Sequence, residues 1–120
     1  MIHSFFEIYN LLCEAIDKNE KHFTLPNGSR IKISFNLKTI GKLGVSCIKC
    51  KTTGNKWIET VVKQTEKTTF STLNLYDSDG VMITVDHITP KHHGGTDSLN
   101  NLVIMCSKCN NKKGSNFDRH

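Results

Sequence analysis

Apolar residues near the start of the chain recur at three- and four-residue steps: Phe5, Ile8, Leu12, Ala15 and Ile16. That period places them on one face of a helix, predicted over residues 5–19. Ser4 with Glu7 three positions later has the spacing of a capping box, in which each side chain serves an orphan N–H of the first turn. The stripe reads as core packing. Beyond it the period shortens. Residues 22–25 and 30–35 flank Pro26-Asn27-Gly28-Ser29, whose Asn and Gly tolerate positive φ, so a β-hairpin is predicted. A basic loop containing Gly41 and Gly44 then leads to Cys47. Residues 57–64 form another candidate strand, followed by a polar connection over 65–69. A second hairpin is predicted from residues 72–76 and 81–85, joined by Asp77-Ser78-Asp79-Gly80. Residues 102–109 carry enough apolar positions for a short strand or turn before a last short helix. The pattern is that of an α+β domain with an irregular C-terminal third.

Size and composition narrow this picture. At 120 residues with 37% hydrophobic positions, the chain suits one domain with a modest core, for which a structural metal adds proportionately more stability. The formal net charge is +5, which favours polyanionic partners, nucleic acid first among them. Many soluble domains are equally basic, so charge alone does not choose. The N-terminus has no basic lead, long apolar run or small-residue cleavage site, so it does not read as a signal peptide. No run approaches the roughly 20 apolar residues of a membrane span. These features predict a cytoplasmic protein with reduced thiols, where paired cysteines more often hold metal than form disulfides.

There are five cysteines. Cys13 stands apart and reads as a buried free thiol. The other four form two Cys-x-x-Cys knuckles, Cys47 with Cys50 and Cys106 with Cys109. Two intervening residues let both thiolates of a knuckle face one ion, and two knuckles complete the tetrahedral four-thiolate set of structural Zn²⁺. The knuckles are 55 residues apart, against about 15–20 in a compact zinc ribbon, so intervening strands must return the chain to the first knuckle. A redox pair would account for one motif and leave the other unexplained. A closed four-thiolate site leaves no position for water, so its expected job is architecture.

The segment Val85-Asp86-His87-Ile88-Thr89-Pro90 ends a predicted strand on an adjacent acid and imidazole. Taken alone, such a pair is usually ordinary surface. Downstream lie Gly94-Gly95, Asn101-Leu102, Cys106-x-x-Cys109-Asn110 and Lys113-Gly114. Together these spaced positions resemble the HNH endonuclease family, and more closely its phage and bacterial branch with a four-cysteine zinc site. The resemblance covers about a quarter of the chain plus the Cys47/Cys50 knuckle.

The resemblance implies a ββα-metal (His-Me finger) core with structural zinc, preceded by the N-terminal helix and β-hairpins. The chain would be one domain, with residues 1–45 an extension and 46–120 the nuclease core. It implies that Asp86 ligates a catalytic ion, that His87 is the general base for the attacking water, and that Asn101 braces the His87 strand. Asn110 stands where the family name expects His, as in the H-N-N variant, whose Asn oxygen ligates metal. Two hard oxygen donors suit Mg²⁺ or Mn²⁺ over softer ions. The implied products carry 5′-phosphate and 3′-hydroxyl ends. Lys91, Lys108, Lys112 and Lys113 are candidates for flanking phosphates, although isolated lysines are more often solvated charges. His92 and His93 lie outside the implied catalytic set, and Gly94-Gly95 is expected to serve the turn.

The expected partner is DNA, whether duplex, nicked or branched, in a bacterial or phage-infected cell. The sequence leaves open a homodimer or a phage or host protein partner. A non-catalytic zinc-stabilised nucleic-acid-binding module is the alternative, although binding alone requires neither Asp86 nor His87. A protein-interaction module on a nuclease-like frame is a third class.

Overall fold

The computed structural model describes residues 2–63, 65 and 69–113. Most of the predicted polar connection over 65–69, together with Gly114 and Ser115, lies outside them. Helix α1, Phe5–Asp17, forms where the apolar stripe predicted it, burying Ile8, Leu12 and Ala15. The capping box does not form: Ser4 makes no side-chain cap hydrogen bond, and only its carbonyl oxygen serves the helix, accepting from the Ile8 N–H at 3.2 Å. Aromatic packing secures this end instead. Phe5 stacks on Tyr9 and Trp57, while the Trp57 indole N–H donates to the Phe5 carbonyl at 3.1 Å.

The first hairpin is present as β2, His22–Thr24, paired antiparallel with β3, Arg30–Lys32. The region predicted as a basic loop is a helix, α2, over Phe35–Leu43. Its N-cap is Ser34, whose Oγ accepts from the Leu37 N–H at 3.2 Å; Gly44, at φ 116°, ends it. Nine residues make a helix that is marginal in isolation. Tertiary burial carries it: Leu37 and Ile40 are buried, each stabilising by about 1.5–3 kcal/mol. Gly41 faces α1 so closely that a Cβ would collide with Ile16 Cδ1.

Strand β1, Ile2–His3, β4, Lys56–Lys63, and β5, Thr69–Tyr76, join the hairpin in a five-stranded sheet of order β1-β4-β5-β3-β2. Strands β4 and β5 pair antiparallel along their whole length, whereas β3 meets β5 in parallel. The second predicted hairpin is corrected here. After Tyr76 the chain makes a single bridge, Tyr76 with Met82, then leaves the sheet. The Asp77 carboxylate forces the turn, accepting from the Asp79 and Val81 N–H groups and the Thr52 hydroxyl at 2.8–2.9 Å. These bonds, the Val81 amide first, hold Asp77 below the usual carboxylate range.

Strand β6, Ile83–His87, therefore starts a separate two-stranded antiparallel sheet with β7, Leu102–Cys106, and helix α3, Ser107–Lys113, follows. Helix α2 packs against both β6 and β7, so one core runs from α1 and Trp57 through Leu37 and Ile40 to Ile83, Ile104 and Met105. The architecture is mixed α+β. Among the described residues no helix is long and apolar enough to cross a membrane.

Candidate active site and metal centre

The four knuckle cysteines converge although 55 residues separate the pairs. The first knuckle sits in a tight loop closed by the Ser46–Thr53 bridge, with Lys51 in the left-handed region at φ 67°. The Ile48 N–H donates to the Ile104 carbonyl at 2.9 Å, fastening this loop to β7. The second knuckle spans the junction of β7 and α3. All four Sγ atoms lie within 4.8 Å of one another, and Cys50 Sγ is 3.7 Å from Cys106 Sγ. Tetrahedral zinc with Zn–S bonds near 2.3 Å requires sulfur–sulfur edges of about 3.8 Å, so the cluster fits the ion.

Its electrostatics agree. Burial opposes the Cys47 thiolate, but hydrogen bonds from the Cys106, Cys50 and Lys49 backbone outweigh it and lower the thiol to about 6. Burial and the three facing thiols push Cys109 up to about 12. A divalent cation would offset the repulsion among four thiolates held this close.

The second constellation lies at the end of β6. Strand alternation puts Thr84 and Asp86 on one face and Val85 and His87 on the other. On the first face, the Asn110 amide N–H of α3 donates to Thr84 Oγ1 at 3.1 Å, and that hydroxyl donates to the Met105 carbonyl. This relay fixes which way the amide points and leaves Asn110 Oδ1 as the acceptor atom. Asp86, half-buried, shares the face. The pair supplies two oxygen donors of the kind a hard divalent ion takes.

On the other face, His87 stacks against Phe35 of α2, with ring centroids 5.9 Å apart and planes 5° from parallel. Its Nε2 lies 2.7 Å from Asp97 Oδ1, while Lys91 Nζ reaches Asp97 Oδ2 at 2.9 Å. These two partners, His87 first, hold the Asp97 carboxyl below its ordinary range. A proton held on Nε2 towards Asp97 makes Nδ1 the acceptor-type nitrogen of that tautomer.

Asn101 ties the loop between β6 and β7 together. Its side chain accepts from the Thr89 N–H at 2.9 Å and donates to the Thr89 and Thr96 carbonyls at 3.1 and 2.7 Å. Its own carbonyl accepts from Ile88 N–H at 2.8 Å. Four bonds from one residue bridge the strand end carrying His87 to the turn carrying Asp97. Gly95 belongs to the same construction, since a Cβ there would overlap the Thr89 carbonyl oxygen. The turn role expected of Gly94-Gly95 thus has a steric cause.

By strand alternation Asp86 shares the face of β6 on which Asn110 bonds Thr84, with His87 on the other face and Asn101 bonded across the loop. Thr84, Asp97 and Phe35 were not among the sequence-predicted site residues. Asp97 is ten residues beyond His87, and only the path of the loop brings the two together. Lys91, one of the candidates for a flanking phosphate, pairs with Asp97. Lys108 and Lys112 are exposed on α3. His92 and His93 pack ring against ring, with centroids 4.4 Å apart, in the 3-10 turn Lys91–His93.

Residues 74–116 match the HNH endonuclease family model. The match contains β6, the Asn101 loop, β7 and α3, and with the four-cysteine cluster it bears out the resemblance read from Asp86, His87, Asn101 and Asn110. The HNH segment begins after α1, α2 and the Cys47/Cys50 knuckle, so the partners these supply lie outside the matched residues. Comparison with curated proteins and with solved structures gives no match. At the level the family match carries, the HNH segment points to a nuclease or another nucleic-acid-related activity.

Proposed function

We propose that this protein is a metal-dependent DNA endonuclease that hydrolyses phosphodiester bonds, with His87 as general base and one divalent ion held by Asp86 and Asn110. The observation that carries the reading is the His87–Asp97 contact of 2.7 Å at the end of β6, within the HNH segment. A carboxylate on Nε2 selects the tautomer whose Nδ1 is an acceptor, the atom a general base needs.

The rest of the reading follows from the same geometry. The scissile phosphate would sit across the end of β6, where both strand faces are within reach. His87 Nδ1 takes a proton from the attacking water, and Asp97 holds the ring and stabilises the imidazolium that results. Asn101 keeps the strand end and the Asp97 turn in register. Asp86 and the Asn110 oxygen would hold Mg²⁺ or Mn²⁺, which when bound supplies Lewis-acid stabilisation of the negative charge building on the phosphate oxygens. Zinc on Cys47, Cys50, Cys106 and Cys109 would be structural. Residues 46–120 would form the nuclease core, with 1–45 its extension, in one domain.

The test is Mg²⁺- and Mn²⁺-dependent cleavage of duplex, nicked and branched DNA by wild type and His87→Ala. The variant should lose about 10²–10⁴-fold in rate while keeping its thermal transition. Undiminished cleavage by the variant sinks the assigned base. Salt-sensitive DNA binding with no cleavage in any divalent ion favours instead the zinc-stabilised binding module.

A further inference from the structure

Helix α2 places Phe35, Lys38, Thr39 and Lys42 along one face, at i, i+3, i+4 and i+7. That face forms one wall of a cleft of about 370 Å³ whose other wall is Asp97, Ser98 and Leu99, with Leu102 beneath. The cleft opens beside His87, because Phe35 stacks on that ring and Asp97 binds it. Lys38 and Lys42 are exposed, and among the described residues neither enters an ion pair. Two like charges at i, i+4 repel slightly on a bare helix, so the arrangement favours an anion between or above them. The acid in the opposite wall does not cancel them, since Lys91 and His87 already engage both oxygens of Asp97.

We propose that this face of α2 is a docking surface for the sugar–phosphate backbone of the substrate strand, carrying it away from the scissile phosphate. The inference rests on the nuclease reading for its occupant and on charge and continuity for its place. Lys38 and Lys42 are separated by about 6 Å along the helix axis. That separation lets the two ammonium groups reach separate phosphates of one DNA strand. Contacts of this kind position a strand without reading its bases. The N-terminal extension would thereby contribute directly to substrate binding, through a helix outside the HNH segment.

The experiment measures DNA binding by fluorescence anisotropy on a short labelled duplex in the His87→Ala background, with and without Lys38→Gln/Lys42→Gln, across a salt series. Loss of two phosphate contacts should flatten the slope of log K against log salt by about 1.8 and raise Kd at least about tenfold at 0.1 M salt. A Lys18→Gln/Lys21→Gln pair on the α1 side controls for net charge. An unchanged slope and Kd, or an equal change in the control pair, overturns the proposal. With His87 intact, the lysine pair should raise KM and leave kcat unchanged; a kcat loss at unchanged KM also overturns it. If wild type never cleaves but the slope still flattens, the nuclease reading fails and the docking surface stands. An acidic peptide that binds and is lost with Lys38 and Lys42, where duplex DNA is not, would replace nucleic acid as the occupant and overturn the proposal.

Discussion

The four-cysteine cluster and the strand-end constellation meet at the β7–α3 junction, and they are built in opposite ways. The four-cysteine cluster draws on residues far apart in sequence, buries Cys47 and Cys106, and turns backbone amides onto sulfur. The strand-end site joins an adjacent acid and imidazole on β6 to an amide on α3, leaves Asp86, His87 and Asn110 half-buried, and uses hydrogen bonds to orient His87 and Asn110. The first arrangement saturates an ion with protein ligands and excludes water. The second leaves oxygen donors and an imidazole where a phosphate and a water could enter. Cys109 and Asn110 are adjacent on α3, so the closed cluster sets the position of a residue in the open one.

The contrast predicts effects of different kind and size. Cys106→Ser should be the most severe. Structural zinc contributes roughly 10–16 kcal/mol in small metal-dependent folds, more than the whole stability of many domains. The variant should bind less than one zinc per chain and lose its cooperative thermal transition, read by metal analysis and circular dichroism. A folded, metal-free variant would refute the architectural role.

Thr84→Val tests the open site without disturbing the closed one. It preserves shape but removes the oxygen that orients the Asn110 amide, and such supporting bonds are worth about 10–100-fold in metal affinity. A Mg²⁺ titration of cleavage should shift by that factor while zinc content stays the same. An unshifted titration would show that the relay does not position Asn110.

Asp77→Asn should have the smallest effect, a loss of stability that depends on pH. Asp77 in the folded state titrates below its ordinary, unfolded value, so its contribution is fully present above that ordinary value and fades as pH falls through the folded one. Melting temperatures of wild type and Asp77→Asn should therefore differ most above about pH 4 and converge in stronger acid. A gap that widens on acidification contradicts the assigned hydrogen bonds.

The chemistry of the C-terminal third was readable because it is written locally. Cys-x-x-Cys, Asp86-His87 and Cys109-Asn110 are short motifs visible before any folding, and the family match to residues 74–116 covers all of them except the first knuckle. The α1 stripe was readable for the same reason, since one helical period shows its buried face. Helix α2 was not. Its apolar positions are few, and Leu37 and Ile40 become a helix face only because α1, β6 and β7 cover them. The pattern across Asp77 misled in the opposite sense: strand-like residues on both sides of a turn resemble a hairpin, but the Asp77 carboxylate redirects the chain after one bridge.

The sequence by itself thus determined the mixed α+β class, the thiolate set, and the candidate acid, base and amides of the strand end. Only the tertiary structure decided that Asp97 sits on His87 Nε2, that Thr84 turns the Asn110 amide, and that α2 lays Phe35, Lys38 and Lys42 beside the site. Those contacts join residues through loop closure and helix packing, whose geometry depends on the whole core and leaves no periodic trace along the chain.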